Sequence, residues 1–109
     1  MADFMKILQQ AQEMQGRLAK IQEELEAATV TGSAGGGLVT VEANGKGEVR
    51  RVRIDRSVVN PDDTEMLEDL VLVAVTDAQK KAGEEQQSKT QAEMGKLAGG
   101  LPLPFKLPF

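Results

Sequence analysis

The chain has 109 residues, a length that one domain accounts for, with a net charge of −4 and 28% charged residues. It contains no cysteine, histidine, tryptophan or tyrosine, which excludes disulfides, Cys/His zinc sites, thiol nucleophiles and imidazole bases. Its phenylalanines are Phe4, Phe105 and Phe109, so residues 5–104 hold no aromatic ring on which a nucleic-acid base could stack.

The longest unbroken apolar run, residues 70–75, is far shorter than the roughly 18 residues of a membrane span. Residues 1–6 show no signal-peptide core. We therefore expect a soluble, cytoplasmic protein without a membrane partner.

The first predicted element is a long helix over residues 4–28. Its apolar residues alternate steps of three and four, which places them on one helix face. They are Phe4, Ile7, Ala11, Met14, Leu18, Ile21, Leu25 and Ala28. At about 1.5 Å per residue the helix extends to about 40 Å, too long for a domain of this size to cover. We therefore expect part of the stripe to lie at a dimer interface that includes Leu18, Ile21 and Leu25.

The next segments indicate short strands. Residues 29–31 change to a period of two, and residues 32–37 contain four glycines, which indicate a turn or bulge. Residues 38–43 and 48–55 are predicted to form a hairpin, because Asn44-Gly45 between them is a strong turn signal.

We expect Val39, Val41 and Ala43 to share one buried face with Val52 and Ile54. This arrangement requires a loop with an even number of residues, and a two-residue turn at Asn44-Gly45 satisfies it. Arg51 and Arg53 then point to the other face, together with Thr40 and Glu42.

The second long helix is predicted to begin at Asn60, as the capping residue, with Pro61 in the first position and carboxylates in the first turn. Beyond Gly83 the sequence is polar, so this part of the helix is expected to project or fray. It ends near residues 97–100, and residues 101–109 alternate prolines with apolar residues, which no helix accepts. We predict one α+β domain over residues 1–100, with a three-stranded antiparallel sheet between two long helices. We expect residues 101–109 to form a flexible or docking Pro-rich tail.

Two groups of residues invite a cofactor or metal interpretation. The glycines of residues 35–37 and 45–47 lack the spacing of nucleotide-binding loops and do not open a helix, so they are better explained as turns. The carboxylates of residues 62–69 fall in the first turns of a helix, where capping and the helix dipole account for most of them. We therefore predict no cofactor, no metal site and no catalytic residue.

Positive charge is concentrated in residues 46–56, which carry a net charge of +3 and four arginines within seven residues. The planar guanidinium group suits phosphate oxygens, although these arginines could instead form a solvated strand face or pair with Glu42. Further cations lie on the helices. The candidate phosphate-contacting residues are Lys46, Arg50, Arg51, Arg53 and Arg56 near the second hairpin strand, and Arg17, Lys20, Lys80 and Lys81 on the helices.

The order and spacing of several segments resemble the YbaB/EbfC family of bacterial nucleoid-associated proteins. The segments are residues 32–41 (GSAGGGLVTV), 44–49 (NGKGEV), 52–55 (VRID) and 61–70 (PDDTEMLEDL), and the resemblance covers about residues 4–100. Arg56 and Thr76 depart from it, since family members often have proline and asparagine there.

The resemblance implies a tweezer-shaped homodimer of the nucleoid, in which the long helices are prongs that hold double-stranded DNA with little sequence preference. It assigns DNA contact mainly to the helices, whereas the charge pattern points to the strand arginines. An alternative function is a dimeric adaptor that binds proteins of the replication or repair machinery. The net acidity of the chain favours that alternative.

Overall fold

A computed structural model describes residues 2–99, and the side chains of residues 3–96. Its elements are helix α1 (Ala2–Ala27), strands β1 (Val30–Ala34), β2 (Val39–Ala43) and β3 (Val49–Ile54), a 3-10 turn (Arg56–Val58) and helix α2 (Thr64–Gly99). The predicted α+β fold, with two long helices and a three-stranded antiparallel sheet, is confirmed. The predicted tail, residues 101–109, lies outside the described residues.

The core lies between α2 and two of the three strands. The sheet order is β1-β2-β3, and α2 packs over β1 and β2. Val39 and Val41 are fully buried against this helix, as are Ala74 and Ala78 on its inner face. Because alanines line the inner face of α2, the helix backbone can approach the sheet closely. The helix lies over β1 and β2, so β3 is left uncovered.

Gly32 shows how close this approach is. A Cβ atom there would lie 2.3 Å from both the Ala74 carbonyl oxygen and the Ala78 nitrogen. Gly32 also lies within β1, which continues to Ala34, so the turn predicted over residues 32–37 begins later than predicted. The turn itself uses Gly35, Gly36 and Gly37, which all have positive φ.

In the β2–β3 hairpin, Val39 and Val41 lie on the predicted side with Val52 and Ile54, but neither the two-residue turn nor the register it would set is found. Val39 pairs with Ile54 and Val41 with Val52. The two-residue turn is wrong, because the register shifts after Glu42 and Ala43 pairs with Val49. The predicted burial of Val52 and Ile54 is also wrong for the isolated chain, since α2 does not cover β3 and both side chains are exposed.

Asn44 explains the longer turn. Its side-chain oxygen accepts hydrogen bonds from the backbone N–H groups of Lys46 and Glu48, each 3.0 Å long. Its side-chain nitrogen donates to Glu48 Oε1 at 2.9 Å. Gly45 N–H donates to the Leu25 carbonyl oxygen at 2.7 Å, near the C-terminal end of α1. The loop therefore binds α1 as well as reversing the chain.

The predicted cap of the second helix is displaced by three residues. Asn60 Oδ1 accepts from Asp62 N–H at 3.0 Å in a turn that precedes the helix. Asp63 Oδ1 accepts from Met66 N–H at 3.3 Å and is the cap. Neither helix of residues 2–99 combines the length and the hydropathy of a membrane-spanning segment.

The two edges of the sheet differ. At the β1 edge, Ser33 N–H donates to Asp77 Oδ2 on α2, and Lys81 Nζ donates to the Thr31 carbonyl oxygen, both at 3.0 Å. At the β3 edge, the bond from Asp55 N–H to the Leu38 oxygen fixes the alternation of the ladder. The N–H and C=O groups of Val52 and Ile54 therefore point away from β2, and no described residue hydrogen-bonds to them.

Candidate nucleic-acid interface

The first candidate surface, called here the strand surface, consists of Lys46, Arg50, Arg51, Arg53 and Arg56. Every residue of β3 is exposed. Arg51 pairs across the ladder with Glu42, and Arg53 with Thr40, on the face opposite α2. None of the four arginines forms an ion pair with a described residue, Glu42 included. Four guanidinium groups are thus available to an anionic ligand.

Lys46 differs from these arginines. It lies in the β2–β3 loop, with its Nζ 3.7 Å from Glu26 Oε2 at the end of α1. Asp55 at the other end of β3 accepts a hydrogen bond from Ser57 N–H, and this bond lowers the pKa of the Asp55 carboxyl. Carboxylates therefore lie at both ends of the strand surface, and Glu42 lies opposite Arg51 in its middle without an ion pair to it.

The second candidate surface, called here the helix surface, consists of Arg17, Lys20, Lys80 and Lys81. Arg17 Nε is 3.6 Å from Glu93 Oε1. Lys81 is bound to Thr31 and lies 3.3 Å from Asp77 Oδ2. Among the described residues, Lys20 and Lys80 have no carboxylate within ion-pair distance. The helix surface thus divides into two engaged and two available cations.

Antiparallel packing of the helices places two further cations beside the helix surface. Lys89 and Lys96 of α2 line an open groove with Arg17 and Lys20 of α1. Lys89 Nζ is 3.4 Å from Glu24 Oε2 and 3.8 Å from Glu85 Oε1. Spacing along the sequence gives no signal for this groove, because its walls come from residues about 70 positions apart.

The three predicted interface residues of α1 have different surroundings. Leu25 and Ile21 are already buried within the single chain, whereas Leu18 is 47% exposed. The base of α1 is therefore held by its own chain, and the part before Ile21 is the part left for other contacts.

The glycine runs and the carboxylates that invite a cofactor or metal interpretation have ordinary surroundings in the described part of the chain. The glycine runs lie in the turns between strands, as their interpretation as turns requires. Within residues 2–99 no group of three or more carboxylates could hold a metal ion.

Comparisons with known proteins agree with a nucleic-acid interface. A nucleoid-associated protein of Gemmatimonas aurantiaca is 51% identical over 107 residues, which cover 98% of this chain and 99% of that protein. One of Agrobacterium fabrum is 48% identical over 111 residues, and one of Rickettsia felis 45% identical over 109, each covering both chains fully. None of these names supports the adaptor alternative.

The fold has a counterpart among solved structures. The crystal structure of an uncharacterized protein from Helicobacter pylori superposes with a TM-score of 0.74 and covers 84% of this chain and 96% of that one, at 24% sequence identity. The profile of the YbaB/EbfC DNA-binding family matches residues 1–101. The chain therefore belongs to the YbaB/EbfC DNA-binding family.

Proposed function

We propose that this chain is a nucleoid-associated protein, not an enzyme, that binds double-stranded DNA as a homodimer with little sequence preference. The observation that carries the proposal is the row of four exposed arginines without ion pairs in a chain of net charge −4. Family membership and the names of the relatives support DNA as the ligand and the nucleoid as the location.

The available side chains favour contact with phosphates over contact with bases. Guanidinium and ammonium groups bind phosphate oxygens, which are the same at every base pair and carry no sequence information. The cations without ion pairs are the first candidates for these contacts. They are Arg50, Arg51, Arg53 and Arg56 on the strand surface, and Lys20 and Lys80 on the helix surface.

The homodimer is supported by the uncovered side of β3. Its edge offers unpaired backbone groups, and beside it an apolar groove is lined by Ile54, Leu67, Val71, Leu72 and Val75. Leu72 is 65% exposed in the single chain. An open edge and an adjacent apolar groove are features that proteins usually cover, and a second copy seated on this side would cover both.

The proposed function is tested by binding to two duplexes of the same length and unrelated sequence, over a range of salt concentration. Phosphate contacts release counterions, so the logarithm of affinity should fall linearly with the logarithm of salt, by about 0.9 per contact. We expect similar affinities and slopes for both duplexes. Affinity that does not change with salt, or that is confined to one duplex, would refute the proposal.

A further inference from the structure

The N-terminal half of α1 carries an apolar face that no described residue covers. Every residue from 3 to 13 is exposed, and Phe4 and Ile7 are 62% and 60% exposed. Together with Leu8 and Ala11 they lie on one side of the helix and are called here the α1 stripe. An isolated helical segment of this length is marginal in water, so a cover for the stripe would stabilise it.

The ion pairs between the helices show which part of α2 lies level with this stripe. Glu24 pairs with Lys89 and Arg17 with Glu93, so α1 and α2 run antiparallel. With equal rise in both helices, this alignment places the end of α2 at Gly99 level with about residues 11 to 14 of α1. Gly99 therefore lies level with Ala11, at the C-terminal end of the α1 stripe.

The sequence that follows Gly99 has the composition of a cover. Residues 101–109 read LPLPFKLPF, in which Leu101, Leu103, Phe105, Leu107 and Phe109 are separated by prolines and one lysine. Prolines favour an extended backbone of about 3.1 Å per residue, so nine residues reach about 28 Å. The distance along α1 from residue 14 to Phe4 is about 15 Å, at 1.5 Å per residue. The segment is long enough to span the stripe.

We propose that residues 101–109 dock on the α1 stripe of the same chain. The extended segment presents large apolar side chains to Phe4 and Ile7, and burial of both sets removes apolar surface from water. Its prolines restrict the unbound segment, which lowers the entropic cost of docking, and they lack the N–H groups that burial would leave unpaired. This docking requires neither DNA nor the homodimer.

Hydrogen exchange on the full-length protein tests the proposal. Leu103→Ser, Phe105→Ser and Leu107→Ser together remove the apolar contacts and leave the length unchanged, and Lys106→Ser is the matched control. In the triple variant, amides of residues 5–13 should exchange at least about tenfold faster, while those of β2 and the control variant stay as in the parent protein. Unchanged exchange of residues 5–13 in the triple variant would overturn the proposal and indicate another cover, such as a second copy.

Disulfide formation distinguishes docking within a chain from docking between chains. Because the chain has no cysteine, Ile7→Cys with Phe105→Cys creates a single pair. Gln9→Cys with Phe105→Cys is the control, since Gln9 is about 200° around the helix from Ile7. We expect the Ile7 pair to form an intrachain disulfide several times faster than the Gln9 pair. Equal rates, or products only between chains, would overturn the proposal.

Discussion

The Ser33 backbone N–H donates a 3.0 Å hydrogen bond to Asp77 Oδ2, so a carboxylate of α2 occupies the exposed edge of β1. Lys81, one helical turn later, lies 3.3 Å from the same oxygen and donates to the Thr31 carbonyl oxygen. Two side chains of α2 thus satisfy the Ser33 N–H and Thr31 C=O groups of this edge strand. No side chain within residues 3–96 does the same at the β3 edge.

Stability should depend on the ionisation of Asp77. The Ser33 N–H, and after it Lys81, hold the pKa of Asp77 below its ordinary value. The stabilisation is therefore complete above the unfolded-state pKa of about 3.9 and is lost as pH falls through the lower folded-state pKa. Asp77→Asn should lower the free energy of unfolding at pH 7. The difference in unfolding free energy between the variant and the parent protein should become smaller in acid.

Urea unfolding at pH 7 and at about pH 3 measures this difference. Asp69→Asn, on an exposed position of α2, controls for the loss of one negative charge from the helix. A deficit in Asp77→Asn that stayed the same size at both pH values would show that charge is not the cause.

Gly32 should tolerate no side chain. Gly32→Ala places a Cβ atom 2.3 Å from two backbone atoms of α2, so the helix must move off the sheet. We expect a loss of about 3 kcal/mol in unfolding free energy, at the upper end for overpacking. Gly83→Ala is the control, because nothing lies within 4 Å of its Cβ position and it should stabilise α2 by up to about 1 kcal/mol. Equal effects of the two substitutions in denaturant unfolding would contradict the observed packing.

Asn44 should contribute more to the free energy of unfolding than its size suggests. It is 1% exposed and makes three side-chain hydrogen bonds within the hairpin loop. Asn44→Ala leaves loop N–H groups without acceptors and should cost about 2 kcal/mol. Asn60→Ala, which removes one exposed bond to Asp62 N–H, should cost less than about 1 kcal/mol. Thermal unfolding of both variants checks the order, and a larger loss at Asn60 would refute it.

The proposed dimer predicts different effects at two neighbouring apolar residues. Leu72 lines the apolar groove beside β3, whereas Val73 is exposed but does not line it. Leu72→Glu would place a charge in the proposed interface and should raise the dimer dissociation constant at least about tenfold. Val73→Glu should change it less. Sedimentation equilibrium measures the dissociation constant of each protein. A parent protein that remains a monomer at micromolar concentration would exclude the dimer.

Local patterns were enough to predict most of the fold. The apolar periods of α1 and α2 and the valines of β2 and β3 predicted these elements because each element buries a face of matching period. The β2–β3 turn was mispredicted because Asn44 bonds within the loop and Gly45 bonds to Leu25. Neither bond is visible in a dipeptide signal.

The candidate site was also only partly predictable from the sequence. The arginines of β3 are close together in the sequence, so charge counting finds them. The engagement of Lys81 and Arg17 depends on Thr31 and Glu93, which are distant in sequence and meet only through packing. Sequence therefore identified the cations, and the structure separates available cations from those already in ion pairs.

The central claim is that cations without ion pairs bind the phosphates of duplex DNA. The salt dependence of binding should be measured for the parent protein, for Arg51→Ala with Arg53→Ala, and for Lys20→Ala with Lys80→Ala. Each pair should weaken binding equally on unrelated duplexes and reduce the slope by up to about 2, while Arg51→Lys with Arg53→Lys should keep it. If both alanine pairs fold normally and bind with unchanged affinity and slope, neither surface contacts DNA and the account is wrong.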